Sequence, residues 1–341
     1  MTSKMANWMF FTMTMTHIGV VLFLSLFGQY LHIGITANLF LGQAILIVPA
    51  LLFLLCTVRK PAAAFRRIKF SSLLMIALGT FLIMPLVTVL NTLTLFFTDN
   101  AVASIQGDVL DVPFPIMFFM IGIFGPFCEE FVFRGILYGS YADQIKAAQA
   151  ARLGTPQAMQ IKAVKTVPPV SGIWPILLSS LTFGLMHMNF NQAVYAFFIG
   201  IFLALLVEAA GSLWASVFCH MFFNSYQVVM MYLSRVFLGS AYMESIDEAA
   251  QELTSVQLQA GLAFYLIIAA VATPIACCCV AWIVKNEGRQ EAVRALFHST
   301  AGNTAQKNAP AETAARESLL TVPLVVAIVI CLGYMSLEWF L

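Results

Sequence analysis

The sequence predicts an all-α fold, a polytopic bundle of transmembrane helices with about nine crossings and a cytoplasmic N-terminus. Three observations carry that prediction. The 341 residues are 61% hydrophobic and only 10% charged, against roughly 25% charged in ordinary soluble domains. Apolar runs of about 20 residues, the length that spans about 30 Å of hydrocarbon, recur along the whole chain. The cationic residues are segregated between alternate connections.

The runs lie near residues 9–30, 39–58, 71–97, 114–138, 172–188, 192–210, 212–234, 260–284 and 319–341. The first is too long for a signal-peptide core and no small-residue cleavage site follows it, so it is expected to stay as a helix. With the N-terminus inside, 16 of the 17 Lys and Arg fall on cytoplasmic segments, leaving Arg235 alone outside, as the positive-inside rule requires. Asp99, Asp108, Asp111, Glu244, Asp247, Glu248 and Glu252 fall on the other side. Lys146 to Val170, Ala- and Gln-rich, is expected either as a helix along the cytoplasmic surface or as a solvated connector. No repeat or soluble domain is visible. A single membrane domain, 1–341, accounts for the chain, with residues 285–318 as a cytoplasmic, partly disordered loop.

Composition also excludes partners. A formal charge of +1 cannot supply the basic field that nucleic acid needs. All seven cysteines lie inside apolar runs and are expected to be unpaired, buried and inert. An inverted repeat is absent, and the sixth, eighth and ninth runs offer little to line a polar path, which disfavours a transporter or channel.

A few polar groups stand out against this background. Residues 127–135 read Phe-Cys-Glu-Glu-Phe-Val-Phe-Arg-Gly, after a run from Pro115 to Phe127 with no charged side chain. Glu129 and Glu130 therefore fall at hydrocarbon depth, where a bare charge costs roughly 3 kcal/mol or more. Glu130 and Arg134, spaced i, i+4, share a helix face as an ion pair. Glu129 lies about 100° round the helix and needs a different partner. His187 ends the run Leu181-Thr-Phe-Gly-Leu-Met-His, while His220 and Asn224 are again spaced i, i+4. Singly, each is more often a packing or helix-to-helix hydrogen-bonding residue, and His17 and His32 are read that way and assigned no role. The coincidence of Glu, His, His and Asn on three runs, with almost no comparable groups on the first two or last two, is what singles the set out.

Such a set suits hydrolysis of an acyl bond. A carboxylate beside an imidazole can take a proton from water and pass it to a leaving amine, and an amide with a second imidazole can hold a developing oxyanion. Zinc held by two histidines and a carboxylate is the alternative, although the His-Glu-x-x-His pattern is absent. At about 1.5 Å per residue, Glu129 lies roughly 15 Å in from Ser140 and His220 roughly 12 Å in from Gly211. His187 lies roughly 22 Å from Gly172, so the turn from Met188 to Asn191 is expected to be submerged.

Glu129-Glu130-x-x-x-Arg134, then Phe183-x-x-x-His187, then Gly211-Ser-Leu-Trp214 leading to His220-x-x-x-Asn224 resembles the three ordered motifs of the CAAX prenyl protease and bacteriocin-processing family of intramembrane glutamic endopeptidases. The resemblance covers about residues 112–230, the expected catalytic core, and the first three and last two runs add nothing to it. It implies that Glu129 and His187 activate water, that His220 and Asn224 form the oxyanion site, and that Glu130 and Arg134 brace the helix, with no cofactor and zinc left open. Glu208 stands before Gly211 where relatives often have a basic residue, a departure that bears on the local cytoplasmic contact. The implied setting is the bacterial cytoplasmic membrane and the implied partners are the lipid bilayer and a membrane-associated peptide: a prenylated C-terminal motif, a leader peptide or a signalling pro-peptide. The alternative is a catalytically inactive scaffold, or an immunity or regulatory protein, on the same fold.

Overall fold

A computed structural model describes residues 1–31, 33–57, 65–145, 172–239, 254–297 and 319–337. All regular structure among them is helical, as expected. In chain order the longer helices are α1 (Ser3–Leu31), α2 (Ile35–Leu55), α3 (Phe70–Thr94), α4 (Phe114–Ile145), α5 (Trp174–Leu185), α6 (Phe190–Ala210), α7 (Leu213–Leu238), α8 (Ser255–Asn286), α9 (Gln290–Phe297) and α10 (Val322–Ser336). Each of the nine predicted runs has its helix. Six of them, α1, α2, α3, α4, α6 and α8, are long and apolar enough to cross a membrane. The other three differ for physical reasons. Helices α5 and α10 have 12 and 15 residues, about 18 and 22 Å of rise. Helix α7 has 26 residues but spends them on polar groups, among them His220, Asn224, Ser225 and Gln227.

Helix α9 was not foreseen. It occupies the early part of the 285–318 stretch, whose residues 298–318 lie outside the described residues, as does the connection expected from Lys146 to Val170. The seven cysteines stand free, but not all are buried: Cys56, Cys277 and Cys278 are exposed, because they lie on outward helix faces that burial inside a lipid-facing run does not cover.

Local chemistry sets the helix ends that matter. The Asn189 side chain caps α6 by accepting from the Gln192 N–H, and α6 stops at Gly211, whose φ of 62° is the left-handed conformation that favours glycine. Ser212 then caps α7, so the two helices turn sharply about a Gly-Ser pair. Cations crowd this turn: a Cβ on Gly211 would lie 3.1 Å from Arg289 Nε and 3.2 Å from Arg66 Nη1. Glu208, the departure noted above, is buried and pairs there with Arg289 (3.3 Å) while accepting from the Tyr138 hydroxyl. Its basic partner is thus supplied from the far end of α8. The opposite end of α7 carries Arg235 beside Asp111 at 3.4 Å.

The C-terminal half of α4 is the centre of the bundle, with Val132, Phe133, Arg134, Ile136, Leu137 and Tyr141 fully buried or nearly so. It is enclosed by α1, α2, α5, α6 and α7, while α8 packs along α3 and α10 along α1. Outer faces such as Leu22, Phe23, Leu26 and Phe27 of α1 are exposed, as lipid-facing surface should be. The turn from Met188 to Asn191 is buried at both ends and half-buried between them, and Asn191 donates to Asn91 and Thr94 of α3.

Helices α5 and α6 approach so closely that a Cβ on Gly184 would lie 2.6 Å from the Ala193 carbonyl oxygen. Gly184→Ala is expected to destabilise the protein by about 1–3 kcal/mol through overpacking, read as a lowered unfolding midpoint in detergent.

Candidate active site

Helix α4 brings the paired carboxylates to the centre of the fold. Two wide π-helical stretches, Phe118–Phe124 and Phe131–Tyr138, flank the ordinary turns Gly125–Glu130, and such interruptions recur at functional sites. In the first stretch the Ile121 carbonyl accepts from Asn224 Nδ2 at 3.1 Å and the Gly122 carbonyl from Ser225 Oγ at 3.2 Å. Gly122 permits this, since a Cβ there would lie 2.7 Å from Ser225 Oγ.

Glu130 is fully buried. Its Oε1 accepts from Arg134 Nη1 at 2.8 Å and from His220 Nδ1 at 2.9 Å, so the ion pair read from the i, i+4 spacing is present and extended by an imidazole. The Arg134 guanidinium lies 4.2 Å from the centroid of the Phe183 ring, an attraction that gains strength away from water. Gly200 leaves the space, because a Cβ there would come within 3.0 Å of Arg134 Nη2.

Glu129 points elsewhere, as its position round the helix requires. Its Oε2 lies 3.8 Å from His220 Nε2, too long for a direct hydrogen bond and a distance at which a bridging water is the natural link. Its Oε1 accepts from Gln43 Nε2 of α2 at 3.3 Å. His187, at the end of α5, donates from Nδ1 to the Phe183 carbonyl at 2.9 Å. That bond fixes the tautomer and leaves Nε2 as the acceptor in the neutral ring. Glu129 and His187 line one cavity of about 130 Å³ together with His17, Gly42, Gln43, Phe133, Phe183 and Met186, ample for a water and a reacting carbonyl.

The sequence-derived set is therefore gathered in part directly and in part through neighbours. Glu129 and His187 share the cavity, His220 stands 3.8 Å from Glu129 without being among the lining residues, and Glu130 with Arg134 supports His220 from behind. Asn224 is anchored on Ile121 and is not among the residues lining the cavity. Sequence reasoning missed two residues. Gln43 and His17, on the helices held to lack comparable groups, both reach the cavity; His32 lies outside the described residues. The only signal for either was a polar side chain inside an apolar run, and nothing in the pattern says which way such a residue faces. Among the described residues, no three His, Cys, Asp or Glu side chains are grouped as metal ligands.

Residues 111–226 match the Rce1-like family, described as type II CAAX prenyl endopeptidase Rce1-like. The matched segment is about a third of the chain and contains all three motifs, which bears out the resemblance drawn from them. No curated protein and no solved structure matches the chain. The protein is thus an integral membrane protein with a region similar to the Rce1-like family.

Arg134→Leu strands Glu130 in the interior and is expected to cost about 3–5 kcal/mol of stability. Replacing Glu130 and Arg134 together by leucine is expected to cost less than Arg134→Leu alone, as a double-mutant cycle on unfolding midpoints would show.

Proposed function

We propose that this protein is an intramembrane endopeptidase in which Glu129 and His187 activate a water that hydrolyses a peptide bond of a membrane-associated substrate. The observation that supports it most is the convergence of Glu129 and His187 on one cavity with His220 Nε2 3.8 Å from the Glu129 carboxylate. A group of this kind held out of water is expensive, and an arrangement that leaves one carboxylate oxygen beside open space has a use for it.

In this mechanism Glu129 takes a proton from a water in the cavity, aided by the free Nε2 of His187. The resulting hydroxide attacks the carbonyl carbon, and the proton is then passed to the amine as the C–N bond breaks. The negative charge that builds on the carbonyl oxygen needs donors. His220 already gives its Nδ1 proton to Glu130, so its Nε2 can donate to the carbonyl oxygen only in a ring that carries both protons. The Glu130–Arg134 pair thus acts by fixing the orientation of His220. Asn224 has a second amide proton beyond the one spent on Ile121 and serves as the companion donor once substrate is bound.

The Rce1-like match favours a prenylated C-terminal motif over a leader peptide or pro-peptide as substrate. A multi-pass setting in a bacterial cytoplasmic membrane, entered from the side where Arg66 and Arg289 gather, fits the charge distribution.

The test is mass spectrometry of peptides released from prenylated substrates by the protein in lipid nanodiscs. Glu129→Gln and His187→Ala are each expected to lower turnover at least about 10³-fold with the unfolding midpoint kept, and Asn224→Ala to lower kcat by about 10²–10³. Undiminished turnover in Glu129→Gln would leave the polar set as helix packing and the protein as a scaffold.

A further inference from the structure

Gln43 belongs to α2, well outside the segment that matches the family. It sits midway along a helix whose other side chains are almost all apolar, where an amide is costly without a partner. It has one: Nε2 donates to Glu129 Oε1 at 3.3 Å. The orientation is dictated by chemistry, since an ionised carboxylate only accepts and the amide must turn its NH2 toward it. Gly125 of α4 stands beside this contact, where a Cβ would lie at ordinary van der Waals distance, 3.4 Å from Gln43 Nε2 and 3.8 Å from Glu129 Oε1. Gln43 Oε1 is buried with no hydrogen-bond partner among the described residues, so the amide is held at one end only.

We infer that Gln43 is a positioning residue for the general base: it fixes one carboxylate oxygen of Glu129 and so aims the other at the water and His220. The inference rests on the proposed hydrolytic reading and deepens it. With Oε1 occupied, the Oε2 lone pairs are the ones left for proton abstraction, and the carboxylate cannot rotate about its last bond without losing the contact. Removing the donor frees the carboxylate to turn away from the water without changing how the peptide is held, so the loss falls on kcat rather than on KM. The geometry distinguishes this from packing, because a side chain that merely filled space could be replaced by another of its size with kcat kept.

The experiment is kcat and KM for prenylated-peptide cleavage by the full chain in nanodiscs, comparing wild type with Gln43→Leu and Gln43→Met, both of which remove the donor at nearly constant volume. Both are expected to lower kcat about 10-fold while KM changes little. Unfolding midpoints within a few degrees of wild type identify the variants that remain folded, and one folded variant suffices. An unchanged kcat in a folded variant, with cleavage still dependent on Glu129, overturns the role of Gln43 and leaves the protease reading intact. Cleavage that survives Glu129→Gln overturns both.

Discussion

A carboxylate placed in hydrocarbon must be surrounded by donors, and the architecture follows from meeting that demand twice in adjacent residues. Glu130 meets it on one oxygen, where Arg134 and His220 both donate to Oε1, while Oε2 is buried without a hydrogen-bond partner among the described residues. Glu129 meets it more loosely, with a side-chain amide on one oxygen and an imidazole just beyond bonding distance from the other. The two carboxylates cannot exchange roles, because they project from α4 about 100° apart. One becomes part of the scaffold and the other remains available. The packing around them serves this asymmetry: Gly200 makes room for the guanidinium and Gly122 for the approach of α7.

Much of this was legible in the sequence, for a reason particular to membranes. In a chain that is 61% hydrophobic, a polar residue within an apolar run is conspicuous, and Glu129, Glu130, Arg134, His187, His220 and Asn224 could be read off before any contact was known. The helical fold was legible by the same contrast of apolar runs and charged connections. What could not be read was orientation. Gln43 and His17 are no more conspicuous than other polar residues of the apolar runs, and only the packing of α1 and α2 against α4 turns them into the cavity. The π-helical stretches were also hidden; in the first, the Ile121 and Gly122 carbonyls are taken by side chains about 100 residues away.

The role of Glu208 was misleading for a related reason. Read locally, an acid where a base is usual suggests a lost contact. In the fold that acid meets Arg289, which follows α8 and reaches back to the α6–α7 turn. The acid is paired after all, with a partner drawn from another part of the chain.

The two wide stretches of α4 have a consequence for how this helix tolerates change. An i→i+5 closure takes one more residue into each ring than an α turn does, so the stretch from Phe118 to Phe124 acts as a phase adjuster between the outer end of the helix and the paired glutamates. Losing a single residue there would let the helix close to the tighter repeat with every side chain after it nearly in place. The ordinary turn that follows, from Gly125 to Cys128, has no such slack: a residue lost from it would swing Glu129 by roughly 100°, and a deletion too small to alter hydropathy would aim the reactive group at the wrong wall.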